Sequence, residues 1–398
     1  MTRALDGIAR ACIALLCATA WSAQALDWRQ PWREPQDAAA AINQSDEYAW
    51  RLFVALNWPG DAKLRQADPM RPFGAAVPTV WETWRNMYEV FLPNGVDPGP
   101  WRAGADTPHV DRSRFDMLTA QQLGISGPPV KVLAAPADPI GKARPLLETR
   151  MNRANFDFIR EHELYNVEGQ LRVLEQSAEL SFPLAAKEIK AQWRPISAAE
   201  RSRYHTVELI ADDGSRHLYG LTALHIISKD LPRWFWATFE HIDNPAPMGA
   251  AQWLLASRDA FACRDAASDC NRAPAGIGLE GTVWENYRLR GTQTEFVDAR
   301  GAPTLLANSQ LEAACQSTAS CMTCHARAAI GKVDGKPARL PIFDTRAPDS
   351  ASDSVRSYNG APDPNWFNGQ PRFAQLDFEW SLLKAQSKTA LPQPPPEQ

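Results

Sequence analysis

Residues Ser320–Ala328 read SCMTCHARA. Cys321 and Cys324 stand about one helical turn apart, and His325 follows the second cysteine directly. Three chemistries use such a group. The side chains can supply part of a tetrahedral zinc site, or the two thiols can cycle as a redox dithiol. Alternatively, the thiols can add to the two vinyl groups of a haem while the imidazole reaches its iron.

The remaining residues discriminate among these. A closed zinc site needs four ligands, yet no second cysteine pair has this spacing and no histidine follows His325. A thioredoxin-like dithiol follows a strand in a βαβ unit, a pattern absent around Cys321. With seven Cys and seven His in 398 residues, a random match to the motif is expected roughly 0.002 times per chain. Coincidence is therefore a poor account of it.

The motif resembles the attachment site of c-type cytochromes. The resemblance implies one covalent haem c, with Cys321 and Cys324 as thioether sites and His325 as the proximal iron ligand. More widely, YGLTALHIISKDLPRWFWATFEHIDN (219–244) and PTLLANSQLEAACQSTASCMTCHARA (303–328) resemble exported bacterial proteins grouped as a cytochrome c family. Small cytochromes c carry a distal methionine after the motif, but here neither Met nor His occurs beyond His325. A sixth ligand must come from elsewhere, or the iron keeps an open side. Met248, in the Pro-bounded loop NPAPMGA, and His241 are the leading distal candidates, ahead of His225 and His205.

The N-terminus suits that chemistry. MTRALDGIARACIALLCATAWSAQA has Arg3 and Arg10 in a basic lead, an apolar run to Trp21, and Ala23-Gln24-Ala25 at its end. This is the layout of a secretory signal over residues 1–25, so a periplasmic protein is expected. Removing it takes away two basic residues and one acidic one, so the net charge of −4 becomes about −5 and gives no reason to expect nucleic-acid binding. No later apolar run is long enough to span a membrane. In an oxidising compartment Cys263 and Cys270 should close a small disulfide loop, leaving Cys315 over.

The elements that must position the motif read as an α+β fold: a helical N-terminal part, a central antiparallel β-sheet and a mainly helical C-terminal haem-binding segment. Residues 26–165 form a helix-and-loop region, with helices expected in Asp37–Trp58, Val80–Phe91, Asp111–Leu123 and Asn152–Leu164. Residues 166–300 read as the β-rich region, with a hairpin turn at Asp213-Gly214 and further strands in EIKAQWRPI and TVWENYRLRG. In RWFWATFEHID a period of two puts Phe235, Ala237, Phe239 and His241 on one face and Trp236 and Glu240 on the other. Residues 301–390 should carry the haem, with helices at Asn308–Gln316 and Phe373–Leu383. Residues 391–398 read as a disordered tail.

Three roles remain open at this level: electron transfer, a redox enzyme or binder of peroxide, O2 or NO at an open iron, and a binding module in which the haem only conducts. Glu240, His241 and Asp243 offer acid–base groups for the second. The redox partner is not legible.

Overall fold

The computed structural model describes residues 28–101, 146–177, 179–210, 216–244, 256–264, 269–312, 319–340, 360–370 and 372–388. The signal segment, Asp111–Leu123, the Asp213-Gly214 turn, Met248, Cys315 and the tail lie outside them.

Aromatic and β-branched residues at period two build the centre of the molecule. A minor pair, β1 (Gly60–Asp61) and β2 (Gln66–Ala67), stands apart from it. The main sheet holds β3 (Arg85–Asn86), β4 (Leu146–Met151), β5 (Lys187–Pro195), β6 (Thr206–Ile210), β7 (Arg216–Ser228), β8 (Phe235–His241) and β9 (Tyr287–Gln293). These seven strands pair antiparallel in the order β3-β4-β5-β7-β8-β9, with β6 on the first half of β7. A smaller antiparallel sheet, ordered β11-β10-β12, joins β10 (Ala329–Val333), β11 (Lys336–Ala338) and β12 (Phe373–Gln375). The pairing of β6 with β7 bears out the hairpin reading of its flanks.

Both faces of the main sheet are covered, which is why every residue of β8 is buried. On one face lies α2 (Ser45–Leu56), preceded by α1 (Ala38–Asn43), whose first turn is capped by Asp37. Phe53 and Trp50 of α2 pack on Phe239 with ring centroids 4.4 and 5.0 Å away, and Tyr48 meets Phe235 at 5.0 Å. The other face takes α3 (Arg153–Glu161), α4 (Val167–Glu175) and the segment around Cys321 into a second core containing Phe156, Ile227, Trp236, Met322 and Leu376. The helix-and-loop region thus contributes β3 and β4 to the sheet, and each core mixes residues from distant parts of the chain.

The α+β class with a central antiparallel sheet is what the patterns predict, but two expected helices differ and a third is described only in part. Val80–Phe91 forms short 3-10 turns at Trp81–Thr83 and Met87–Glu89 flanking β3. Its residues from Val80 to Met87 are all buried, so apolar spacing there marks enclosure on every side rather than one helical face. Of Asn308–Gln316 only Asn308–Glu312 is described: a turn in which the Asn308 carbonyl accepts from the Glu312 amide at 3.0 Å and its side chain from the Gln310 amide at 2.9 Å. Phe373–Leu383 divides into β12 and a 3-10 turn at Trp380–Lys384, separated by Asp377 and Phe378 at positive φ (46° and 64°). The described C-terminal segment is therefore a small sheet with short helical turns.

Candidate functional site

The motif forms a five-residue helix, Cys321–His325, started by Ser320, whose side chain accepts from the Thr323 amide. Its neighbour β9 fixes where it sits. Gln293 accepts from the Met322 amide at 3.1 Å and donates to the Ser320 hydroxyl at 2.8 Å. Met322 and Ala326 then point into the second core with no exposure. Cys321 packs at the edge of that core, and His325 meets its Trp236 and the adjoining Trp380. Cys321, Cys324 and His325 keep accessible surface, yet burial is the largest influence on their ionisation. The three side chains are thus enclosed but still accessible.

His325 is held as a metal-ligating histidine needs to be. Its Nδ1 lies 2.9 Å from the Phe378 carbonyl oxygen. A carbonyl only accepts, so Nδ1 carries the proton and Nε2 presents its lone pair. No hydrogen bond to that Nε2 occurs among the described residues. Trp236 and Trp380 flank the ring, with centroids 4.4 and 5.7 Å away. Burial, with lesser contributions from Lys190 and His225, lowers the imidazole pKa to about 3, so the ring is neutral at ordinary pH. The positive φ of Phe378 belongs to the turn that aims its carbonyl at His325.

The thiols are poor redox nucleophiles. Burial and then the Glu312 carboxylate push Cys324 up to about 11 and Cys321 well above its ordinary value. A catalytic dithiol needs the opposite shift. The two cysteines are not bonded to each other, whereas Cys263 and Cys270 form a disulfide with Cα atoms 6.0 Å apart. Among the described residues, no group of three or more His, Cys, Asp or Glu converges as a metal-binding set. The residues therefore fit a haem attachment site: two protonated, accessible thiols one turn apart beside an oriented imidazole with a free nitrogen.

The sheet face above the motif carries further polar groups. Lys190 on β5, His225 on β7 and Thr238 on β8 are cross-strand neighbours. The Glu312 carboxylate lies 3.5 Å from His225 Nε2 and accepts from the Asn308 amide at 2.8 Å. Asn308 is itself anchored on β8 by bonds to Thr238 Oγ1 (2.9 Å) and the Phe239 carbonyl (3.0 Å). Burial alone would raise the Glu312 carboxyl, but His225, Lys190 and the Asn308 amide outweigh it and hold it below its ordinary value. Lys190 and Glu312 are the members of this set that the sequence reading missed.

The other predicted residues do not join them. His241 sits on the opposite face of β8, stacked on Tyr204 at 3.7 Å. Its Nε2 donates to the Arg203 carbonyl at 3.0 Å and its Nδ1 accepts from the Asp243 amide at 3.1 Å. With both nitrogens spent and the strand between them, His241 is not placed to share a ligand with His325. His205 lies on that same side, bound to Glu82 at 2.9 Å and stacked on Trp284. Glu240 faces away from His241 and pairs with Arg288 at 3.3 Å, while Asp243 pairs with Arg203. These three therefore do not assemble an acid–base site. A cavity of about 1200 Å³ lined by Trp32, Arg65, Trp84 and Trp101 includes none of the motif residues.

No protein-family model, curated protein or solved structure matches the chain. Among the described residues no helix is long and apolar enough to cross a membrane.

Proposed function

We propose that this chain is an exported mono-haem c-type cytochrome that transfers electrons through one haem held by Cys321 and Cys324, with His325 as its proximal ligand. The observation that carries the reading is the His325 ring, with Nδ1 tied to the Phe378 carbonyl and Nε2 without a hydrogen bond among the described residues, beside two accessible thiols. The Cys263–Cys270 disulfide supports the oxidising compartment in which c-type haem is attached.

When bound, the haem supplies one-electron exchange at its iron. The protein does the rest. The thiols fix the macrocycle, and the motif helix sets their separation. Phe378 fixes the tautomer and plane of His325, and Trp236 and Trp380 keep the ring from turning. Such second-sphere orientation is what makes a histidine a dependable ligand.

Denaturing mass spectrometry of protein expressed with a c-type maturation system tests the attachment. The chain should retain the mass of one haem, and Cys321→Ala combined with Cys324→Ala should abolish it. Retention of haem by the double variant would sink the assignment.

A second reading is supported by the polar groups on the sheet face above the motif: an open iron side that binds peroxide, O2 or NO. Carbon monoxide separates the two. A reduced protein that stays low-spin and ignores it is an electron carrier, whereas ready binding favours the open site.

A further inference from the structure

A trio of polar side chains, Lys190, His225 and Glu312, stands on the motif side of the sheet with no role in covalent attachment. Lys190 keeps accessible surface at the middle of a central strand, although Ile189 and Ala191 beside it have none. Ile189 and Ala191 belong to the α2-side core, so Lys190 projects from the motif side. His225, its cross-strand partner, has a side chain only 7% exposed. Its Nε2 faces the Glu312 carboxylate at 3.5 Å, too long for a full hydrogen bond, and has no other hydrogen-bond partner among the described residues. At that distance the pairing with Glu312 is weak, so the Nε2–H can be shared with a second acceptor.

Several bonds hold this arrangement. Glu312 is fastened by the Asn308 amide, and Asn308 by Thr238 and the Phe239 carbonyl of the same sheet. Lys190, His225 and Glu312 all act electrostatically on His325. Trp236, on the same face of β8 as Thr238, packs against the His325 ring at 4.4 Å, so the trio and His325 lie along one face of the sheet.

We infer that His225, positioned by Glu312 and flanked by Lys190, is the hydrogen-bonding residue of a small-ligand site over the haem, and that this site takes small ligands which accept hydrogen bonds once bound. This rests on the open-site reading above. Such a ligand is a small anion or a polar diatomic. Its iron-bound end is held by the metal, while its far end meets a donor that water would otherwise supply. His225 contacts the ligand, and Glu312 sets the orientation of the imidazole.

Cyanide on the oxidised holo-protein and carbon monoxide on the reduced one are suitable probes, because bound cyanide accepts hydrogen bonds far better than bound carbon monoxide. His225→Ala should weaken cyanide binding about 10- to 100-fold, the loss expected for one charge-assisted bond. Carbon monoxide affinity should hardly change. His225→Gln, which keeps a donor, should recover part of the loss, and Glu312→Gln should show a smaller loss of the same sign.

Unchanged cyanide affinity in His225→Ala overturns the inference, as does a wild-type protein that binds neither probe. Conversion of a low-spin wild type to a high-spin His225→Ala variant with gained carbon monoxide binding also overturns it, by making His225 an iron ligand. Each of these outcomes leaves covalent attachment intact by mass, so failure here is distinct from failure of the haem assignment.

Discussion

The two faces of β8 use one strand for different ends. On the α2 side, Phe235, Ala237, Phe239 and His241 meet Tyr48, Trp50, Phe53 and Tyr287 in a continuous aromatic core. The one histidine of that row has both ring nitrogens bonded to backbone. On the motif side, Trp236, Thr238 and Glu240 support His325, Asn308 and Ser309. There, His325 and His225 each keep a nitrogen without a hydrogen bond among the described residues. A saturated face supplies rigidity, and an unsaturated face has capacity left for a ligand. Counting free ring nitrogens separates them better than counting histidines.

The largest effect expected from this contrast is on stability. Phe239 is fully buried between Phe53 and Trp50. Phe239→Ala should therefore cost about 3–5 kcal/mol in urea unfolding, through lost burial plus a cavity. Covalent haem should be retained in protein that folds. If the variant kept its stability but lost its haem spectrum, the division of labour between the faces would be wrong.

Acid should also discriminate the faces. Burial lowers the His241 pKa to about 4, with smaller opposing contributions from its backbone bond and Asp243. The unfolded chain, near 6.5, takes up this proton first, so it binds more protons than the fold between the two values. The stabilisation from a neutral His241 is complete above about pH 6.5 and is lost as pH falls toward 4, by about 3 kcal/mol at most. Asp243, Arg203 and Arg194 are the charged groups acting on this ring. His241→Gln should flatten that part of the stability–pH curve while leaving the visible spectrum alone. A spectral change would place His241 near the iron after all.

How much of this was legible depends on chain distance. The motif and the alternation of β8 are local patterns, and each reads directly from adjacent residues. The histidines on β7 and β8 could be assigned to strands, but not ranked. Whether a ring nitrogen is free depends on Arg203, Asp243 or Glu312, which reach it through tertiary packing. Lys190 carries no signal in sequence, since a lysine in a strand pattern reads as a solvated side chain. The Phe378 carbonyl was hidden for a different reason. Phe373, Leu376 and Trp380 mimic helical spacing, whereas positive φ at two non-glycine residues breaks the segment there. Apolar periodicity reports burial, and in a segment buried all round it stops reporting conformation.

The smallest effect tests the link between the faces. The Asn308 side chain donates to Thr238 and to the Phe239 carbonyl, and it caps the turn at Gln310. Its backbone amide holds Glu312. Asn308→Ala keeps that amide but releases the turn from β8, so it should cost about 1–2 kcal/mol of stability. It should also weaken cyanide binding, by less than His225→Ala does, because Glu312 loses its fixed position while the imidazole remains. Combining Asn308→Ala with His225→Ala should add little further loss of cyanide affinity, since both act through the same contact. Full additivity would mean that Asn308 matters only to folding. The saturated face would then support the ligand site only as a rigid backing, with no part in aiming its side chains.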